Sequence, residues 1–250
     1  MEDNIFTISF LIAYLVVVFG TLLIVLIKNK KTGHKFTFID TWTAIFLAYF
    51  LLGFGDIFHL GSRIIIYFFN IDYTSDLARM MLGNGYIITG ITMTLFYIFI
   101  HRTWEIIYAP TYSNEKTVKI LRIILLLAFI ARLIFLFMPQ NNWFLDPAIP
   151  GEVYHPFRLI SSIPLYIIGI IPVYLLLVDS LKEKKSSGKI EQKLIKSSYN
   201  AAIWFLVSYG CYTITIVFVS IFPIAGMFMI PKTIAYLIAL FYYYKNVLTV

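Results

Sequence analysis

The stretch IFTISFLIAYLVVVFGTLLIVLI, Ile5 to Ile27, carries no charge and ends against Lys28, Lys30 and Lys31. At 1.5 Å per residue, about 20 apolar residues cross a ~30 Å hydrocarbon core as a helix, and this run is long enough. No small-residue cleavage pattern follows it, so it reads as a retained helix and not as a signal peptide. Working outward from 5–27, six further runs of the same kind appear at about 41–66, 80–100, 120–138, 159–178, 198–222 and 223–244. None alternates in polarity as barrel strands do. The expectation is an all-α polytopic membrane protein, residues 1–250 forming a single domain of seven transmembrane helices.

Composition agrees. The 250 residues are 60% hydrophobic and 13% charged, and mean hydropathy is +0.84. A soluble domain is about half apolar and a quarter charged, so this chain cannot cover a water-facing surface. That excludes a soluble enzyme, a disordered chain and a nucleic-acid binder. The net charge of +7 reflects loop lysines and arginines facing anionic headgroups. The single cysteine, Cys211, allows neither an intrachain disulfide nor a cysteine-based zinc site.

The loops set the expected orientation. Lys28, Lys30, Lys31 and Lys35 follow the first span; Arg102, Lys116, Lys119 and Arg122 surround the loop after the third. Lys182, Lys184, Lys185, Lys189, Lys193 and Lys196 fill the segment after the fifth, which reads as a solvated helix end and turn, and Lys245 follows the seventh. The opposite side has Arg79 and Arg158 as flanking bases beside Glu2, Asp3, Asp72, Asp76, Asp146 and Glu152. The positive-inside rule then places the N-terminus outside and the C-terminus in the cytoplasm of a plasma-membrane protein. The segment 139–156, with Trp143, Pro147, Pro150, Gly151 and His155, reads as an ordered cap over the outer end, and an interfacial aromatic belt explains Trp143 equally well.

Ionisable residues inside spans are costly and are functional candidates by default. Asp56, His59 and Arg63 interrupt the second span, Arg132 the fourth and Lys232 the seventh. With seven alternating helices all five occupy one slab, in the middle and outer half of the membrane. At about 100° per residue, Asp56, His59 and Arg63 fall within an arc of about 60°. Tyr49 and Asn70 extend that face, and Gly53, Gly55 and Gly61 beside it permit close approach of a helix or ligand. The competing reading is a structural ion pair of Asp56 with Arg132 or Lys232, with Arg63 snorkelling to the interface. Asn84 at the start of the third span is a further ligand candidate. Arg79 and Arg158 read as interfacial anchors. Trp204, Ser208, Cys211 and Thr215 share one face of the sixth span and read as interhelical packing.

Two chemistries follow. Three intramembrane cations against one carboxylate suit a small anionic or lipid ligand, bound, sensed or transported, with Asp56, His59, Arg63, Arg132, Lys232 and Asn84 as its contacts. Alternatively His59, His155 and Asp56 form a 2-His-1-carboxylate metal site of a lipid hydrolase, with Asp56 and His59 as catalytic candidates. A third reading is structural, with charges that only pair helices. The sequence leaves open which cofactor, if any, the chain uses, and whether it is an enzyme.

GFGDIFHLGS, residues 53–62, resembles the glycine-rich GxGSxxFH stretch of the seven-helix alkaline ceramidases, zinc-dependent membrane hydrolases. The resemblance implies a metal role for His59 and puts Asp56 near the family's serine position. It covers about ten residues, and the family's paired histidines in the last helix have no counterpart, since 223–244 contains no histidine. A lysine in the seventh helix also invites comparison with rhodopsins, but no aspartate stands a turn before Lys232.

Overall fold

The computed structural model describes residues 5–33, 36–37, 40–145, 156–185, 190–219 and 221–248. It is all-helical, with seven helices long and apolar enough to cross a membrane. They are α1 (Ile5–Thr32), α2 (Thr41–Phe68), α3 (Asp76–Ile107), α4 (Glu115–Phe137), α5 (Pro156–Lys185), α6 (Gln192–Phe218) and α7 (Met229–Tyr243). The last is extended by a 3-10 segment, Pro223–Phe228, and a terminal π turn, Tyr244–Leu248. A single helical turn, Ala109–Tyr112, joins α3 to α4, and a 3-10 turn, Pro139–Asn141, follows α4.

Local chemistry explains the boundaries. Asp40 caps α2, accepting from the backbone N–H groups of Trp42 and Thr43 at 3.2 and 3.0 Å. Ser75 caps α3 and Asn114 caps α4, accepting from Ala78 and Thr117. Asn70, just beyond α2, takes a left-handed φ of 51° and is exposed. It therefore lies past the helix and does not extend the polar face of Tyr49 and Asp56, contrary to the sequence expectation. The 198–222 run was expected to remain helical to its end. The α-helix instead stops at Phe218, and Pro223 opens the 3-10 segment.

Consecutive helices run to opposite ends. One end gathers Ile5, Phe68, Asp76, Phe137 and Phe218 and is called here the Ile5 end; the other gathers Thr32, Thr41, Ile107, Glu115, Lys185 and Gln192 and is called the Thr32 end. Cross-links respect this alternation. Trp42 Nε1 donates to the Leu248 carbonyl at 3.3 Å, and Asn246 donates to Ser197 Oγ at 2.9 Å, both at the Thr32 end. Thr215 donates to the Ala225 carbonyl at 3.2 Å at the other.

α2 and α3 pack with little space between their backbones. A Cβ on Gly85 would lie 2.7 Å from the Phe58 carbonyl oxygen, and one on Gly55 would lie 2.0 Å from Thr92 Oγ1. Thr89 donates to the Gly55 carbonyl at 2.9 Å. On the other side of α2, a Cβ on Gly53 would lie 2.9 Å from Val18 of α1. In α5, Gly169 is the notch that receives Tyr209 of α6. The glycines of the 53–63 stretch therefore differ: Gly53 and Gly55 seat neighbouring helices, while a Cβ on Gly61 would meet nothing within 4 Å.

Candidate functional site

Asp56 is gripped from a helix the sequence reading did not involve. Tyr14 of α1 donates to Asp56 Oδ2 at 2.6 Å. A carboxylate in the bilayer interior costs about 2.5–3.5 kcal/mol, and a hydrogen bond to a charged group returns about 1.5–3. Lys232 of α7 also faces Asp56 electrostatically. Among the described residues, however, no ion pair or hydrogen bond joins its ammonium to a carboxylate. Lys232 Nζ stands instead over two aromatic faces, 5.2 Å from the Tyr212 centroid and 5.9 Å from that of Tyr236. Each such contact contributes roughly 0.5–2 kcal/mol, more when water is excluded.

Asp56 and Lys232 keep accessible surface, each being only half-buried. Tyr86, Cys211 and Tyr212 are half-buried as well. Cys211 lies beside Lys232, and buried Ser208 lies beside Tyr236. The α6 face of Ser208, Cys211 and Thr215 thus meets α7, as the packing reading expects.

His59, one turn from Asp56, is buried and stacks on Tyr86 with centroids 4.9 Å apart. Its Nδ1 has no hydrogen-bond partner, and the charges nearest its ring are the cations Arg63 and Lys232. Arg63 Nη2 donates to the Tyr86 hydroxyl at 3.3 Å, so it turns into the bundle. Arg132 of α4 is 3% exposed and donates to the Ser161 carbonyl of α5. Its Nε has no partner, and it faces Tyr212 and Tyr209 electrostatically. Tyr212 therefore stands between the two cations, carrying Lys232 on its face and Arg132 nearby. Neither expected ion pair of Asp56 forms among the described residues: Lys232 lies near it without a direct bond, and Arg132 donates to a backbone carbonyl.

Asn84 and Arg158 stand apart from this group. Asn84 is exposed between buried Gly83 and Gly85, so its side chain leaves the packed face of α3. His155 lies outside the described residues. Arg158, read as an interfacial anchor, is instead a buried clamp. It donates to the carbonyls of Asn141, Asn142 and Leu145 and lies 5.1 Å over the Trp143 ring. Trp143 and Phe144 in turn close over Gly83. The described part of the expected cap, through Leu145, thus packs on the bundle.

For the metal reading, no group of three histidine, cysteine or acidic side chains gathers among the described residues. The residues present also fit a cation poorly: His59 is flanked by Arg63 and Lys232, and Asp56 is committed to Tyr14.

A second polar cluster at the Thr32 end was not anticipated. Asp179 and Glu183 of α5 are 4% and 1% exposed, and Glu105 of α3 is 8% exposed. Asp179 accepts from Trp104 Nε1 at 2.9 Å and pairs with Lys182 at 2.7 Å. Glu183 accepts from the Tyr112 hydroxyl and from the Ile190 N–H. Glu105 pairs with Arg102 and Arg122 at 2.7 Å each, and His101 Nε2 lies 3.3 Å from it. The signal lay in Glu183, within the lysine-rich segment 181–196 read as solvated, and in Asp179 just before it.

No protein-family model, curated protein or solved structure matches this chain.

Proposed function

We propose that this multi-pass membrane protein binds a small anionic ligand, a carboxylate or a phosphate-bearing headgroup, in the crevice lined by Asp56, Lys232, Tyr212 and Tyr236. The observation that carries this reading is the state of Lys232. It is half-buried over two tyrosine rings, has no direct carboxylate partner among the described residues, and shares Tyr212 with Arg132. Asp56, held by Tyr14, lies near Lys232 without a direct bond to it among the described residues. Arg63 and His59 complete a wall that is net positive. A charged group in a low-dielectric surround binds a counter-ion strongly when that ion replaces the lost hydration.

By the positive-inside rule the crevice opens toward the outer face of a plasma membrane, and its occupant is a ligand to be sensed or carried inward. Thermal unfolding of the detergent-solubilised protein tests this. Phosphate, acetate or a phospholipid headgroup is added against chloride at equal ionic strength. A ligand at about 100 times its Kd stabilises by about 2.7 kcal/mol. The expected result is a rise in Tm with at least one of these anions that is lost in Lys232→Met. Equal responses of the wild type and Lys232→Met to every anion overturn the reading.

A further inference from the structure

Two buried arginines are used in opposite ways. Arg158 commits its donors to the carbonyls of Asn141, Asn142 and Leu145 and lies 5.1 Å over the Trp143 ring. Arg132, inside α4 and 3% exposed, makes one hydrogen bond, from Nη1 to the Ser161 carbonyl. Its Nε has no partner, and no carboxylate pairs with its guanidinium among the described residues.

The unused donors have a shape. Nε and Nη2 form the side edge of a guanidinium, two parallel N–H groups spaced for two oxygens of one carboxylate or phosphate. With Nη1 committed to Ser161, this edge is the one Arg132 leaves without a partner. Gly90 of α3 stands beside it. A Cβ there would lie 3.5 Å from Nη2 and 2.8 Å from Leu136 Cδ1, so a larger residue would crowd the edge. An arginine that only ties helices together saturates its donors, as Arg158 does. A buried guanidinium with a free fork and no counter-ion is the signature of an anion-binding group.

Arg132 is also tied to Lys232. Lys232 Nζ lies 5.2 Å from the Tyr212 ring centroid, and the Tyr212 hydroxyl lies 3.4 Å from Ser162 Oγ. The carbonyl of the preceding residue, Ser161, is the one that accepts from Arg132. Tyr212 thus joins the Lys232 ammonium to the α4–α5 contact that Arg132 makes. Asp56, the carboxylate nearest Lys232 in this region, accepts from Tyr14 and pairs directly with neither cation.

We infer that the occupant of the Lys232 site is a dianion, held by Lys232 as a point charge and by the Nε–Nη2 edge of Arg132 as a fork. The inference rests on the anion reading of Lys232 and adds the charge of the ligand and its mode of binding. Two carboxylates on a short chain or a single phosphate supply the two charges. A monocarboxylate satisfies one cation and leaves the other uncompensated, so the pair selects against it.

Thermal unfolding of the full chain in lipid nanodiscs tests this at about pH 8, where a phosphate is doubly charged. Acetate, succinate, glutarate and phosphate are titrated against chloride at equal ionic strength. The expected result is that at least one dianion raises Tm at a concentration about tenfold or more below that needed for acetate. In Arg132→Gln the dianion and acetate become equally potent, and in Lys232→Met no anion shifts Tm. Arg132→Lys keeps the charge without the fork and is expected to keep only part of the advantage, which provides the test should Arg132→Gln fail to fold. An advantage confined to succinate or glutarate identifies a dicarboxylate, and one confined to phosphate a phosphoryl group. Equal potency of acetate and every dianion in the wild type overturns the dianion and leaves the Lys232 reading standing, as does an undiminished advantage in the Arg132 variants. No response of the wild type to any anion overturns the Lys232 reading itself.

Discussion

The Tyr14–Asp56 hydrogen bond is the residue-scale fact on which the site rests. A carboxylate accepting from a phenol at 2.6 Å in the membrane interior is held in place by a contact between α1 and α2. Tyr14→Phe is expected to destabilise the protein by about 1–3 kcal/mol, and by much less in an Asp56→Asn background. A double-mutant cycle of thermal unfolding in detergent measures that coupling, and additive costs would show that the bond contributes nothing. Arg158 makes a comparable claim. Its three carbonyl acceptors need a planar fork of donors, so Arg158→Lys is expected to loosen the turn after α4 nearly as much as Arg158→Gln. Faster amide exchange over residues 139–145 in both variants checks this. Sequence reading found the cost of an intramembrane Asp56, His59, Arg63, Arg132 or Lys232, because a charge in an apolar run is visible without structure. It did not find Tyr14, since one tyrosine among the 18 in this chain has no pattern to set it apart. It also misjudged Arg158, because a clamp and an anchor look alike until the carbonyls they serve are known.

At the scale of the element, the α2–α3 pair positions the site. Gly85→Ala is expected to cost about 1–3 kcal/mol and to displace His59, because the new Cβ meets backbone at 2.7 and 2.9 Å. Gly61→Ala, with open space around it, is expected to be neutral or stabilising by up to about 1 kcal/mol. Thermal unfolding of the two variants side by side reads the difference, and equal effects would mean that the close approach is not tight in solution. The helix pattern itself was legible because each run is continuous and uncharged. Helix ends were less so. α3 continues to Ile107 past His101, Arg102 and Glu105, where Glu105 pairs with Arg102 and Arg122. Asp179 and Glu183 were hidden by the lysines around them, as local charge counts do not show which side chains turn inward.

For the whole molecule, the seven helices place one polar region in the interior and one at the Thr32 end, where the lysine-rich segments also gather. The positive-inside rule predicts a cytoplasmic Thr32 end. In a Cys211→Ser background, a cysteine replacing Asp72 should react with an impermeant maleimide on intact cells, and one replacing Lys116 should react only after lysis. The reverse pattern would invert the crevice with respect to the membrane. The ligand itself was not legible, because charge surplus indicates the sign of an occupant and not its shape. The most direct measurement is therefore mass spectrometry of small molecules and lipids retained by the protein purified in nanodiscs, with wild type and Lys232→Met prepared in parallel. An anionic species at about one per chain in the wild type and absent from Lys232→Met is the expected result. Identical retained species in the two preparations would contradict an anion site at Lys232.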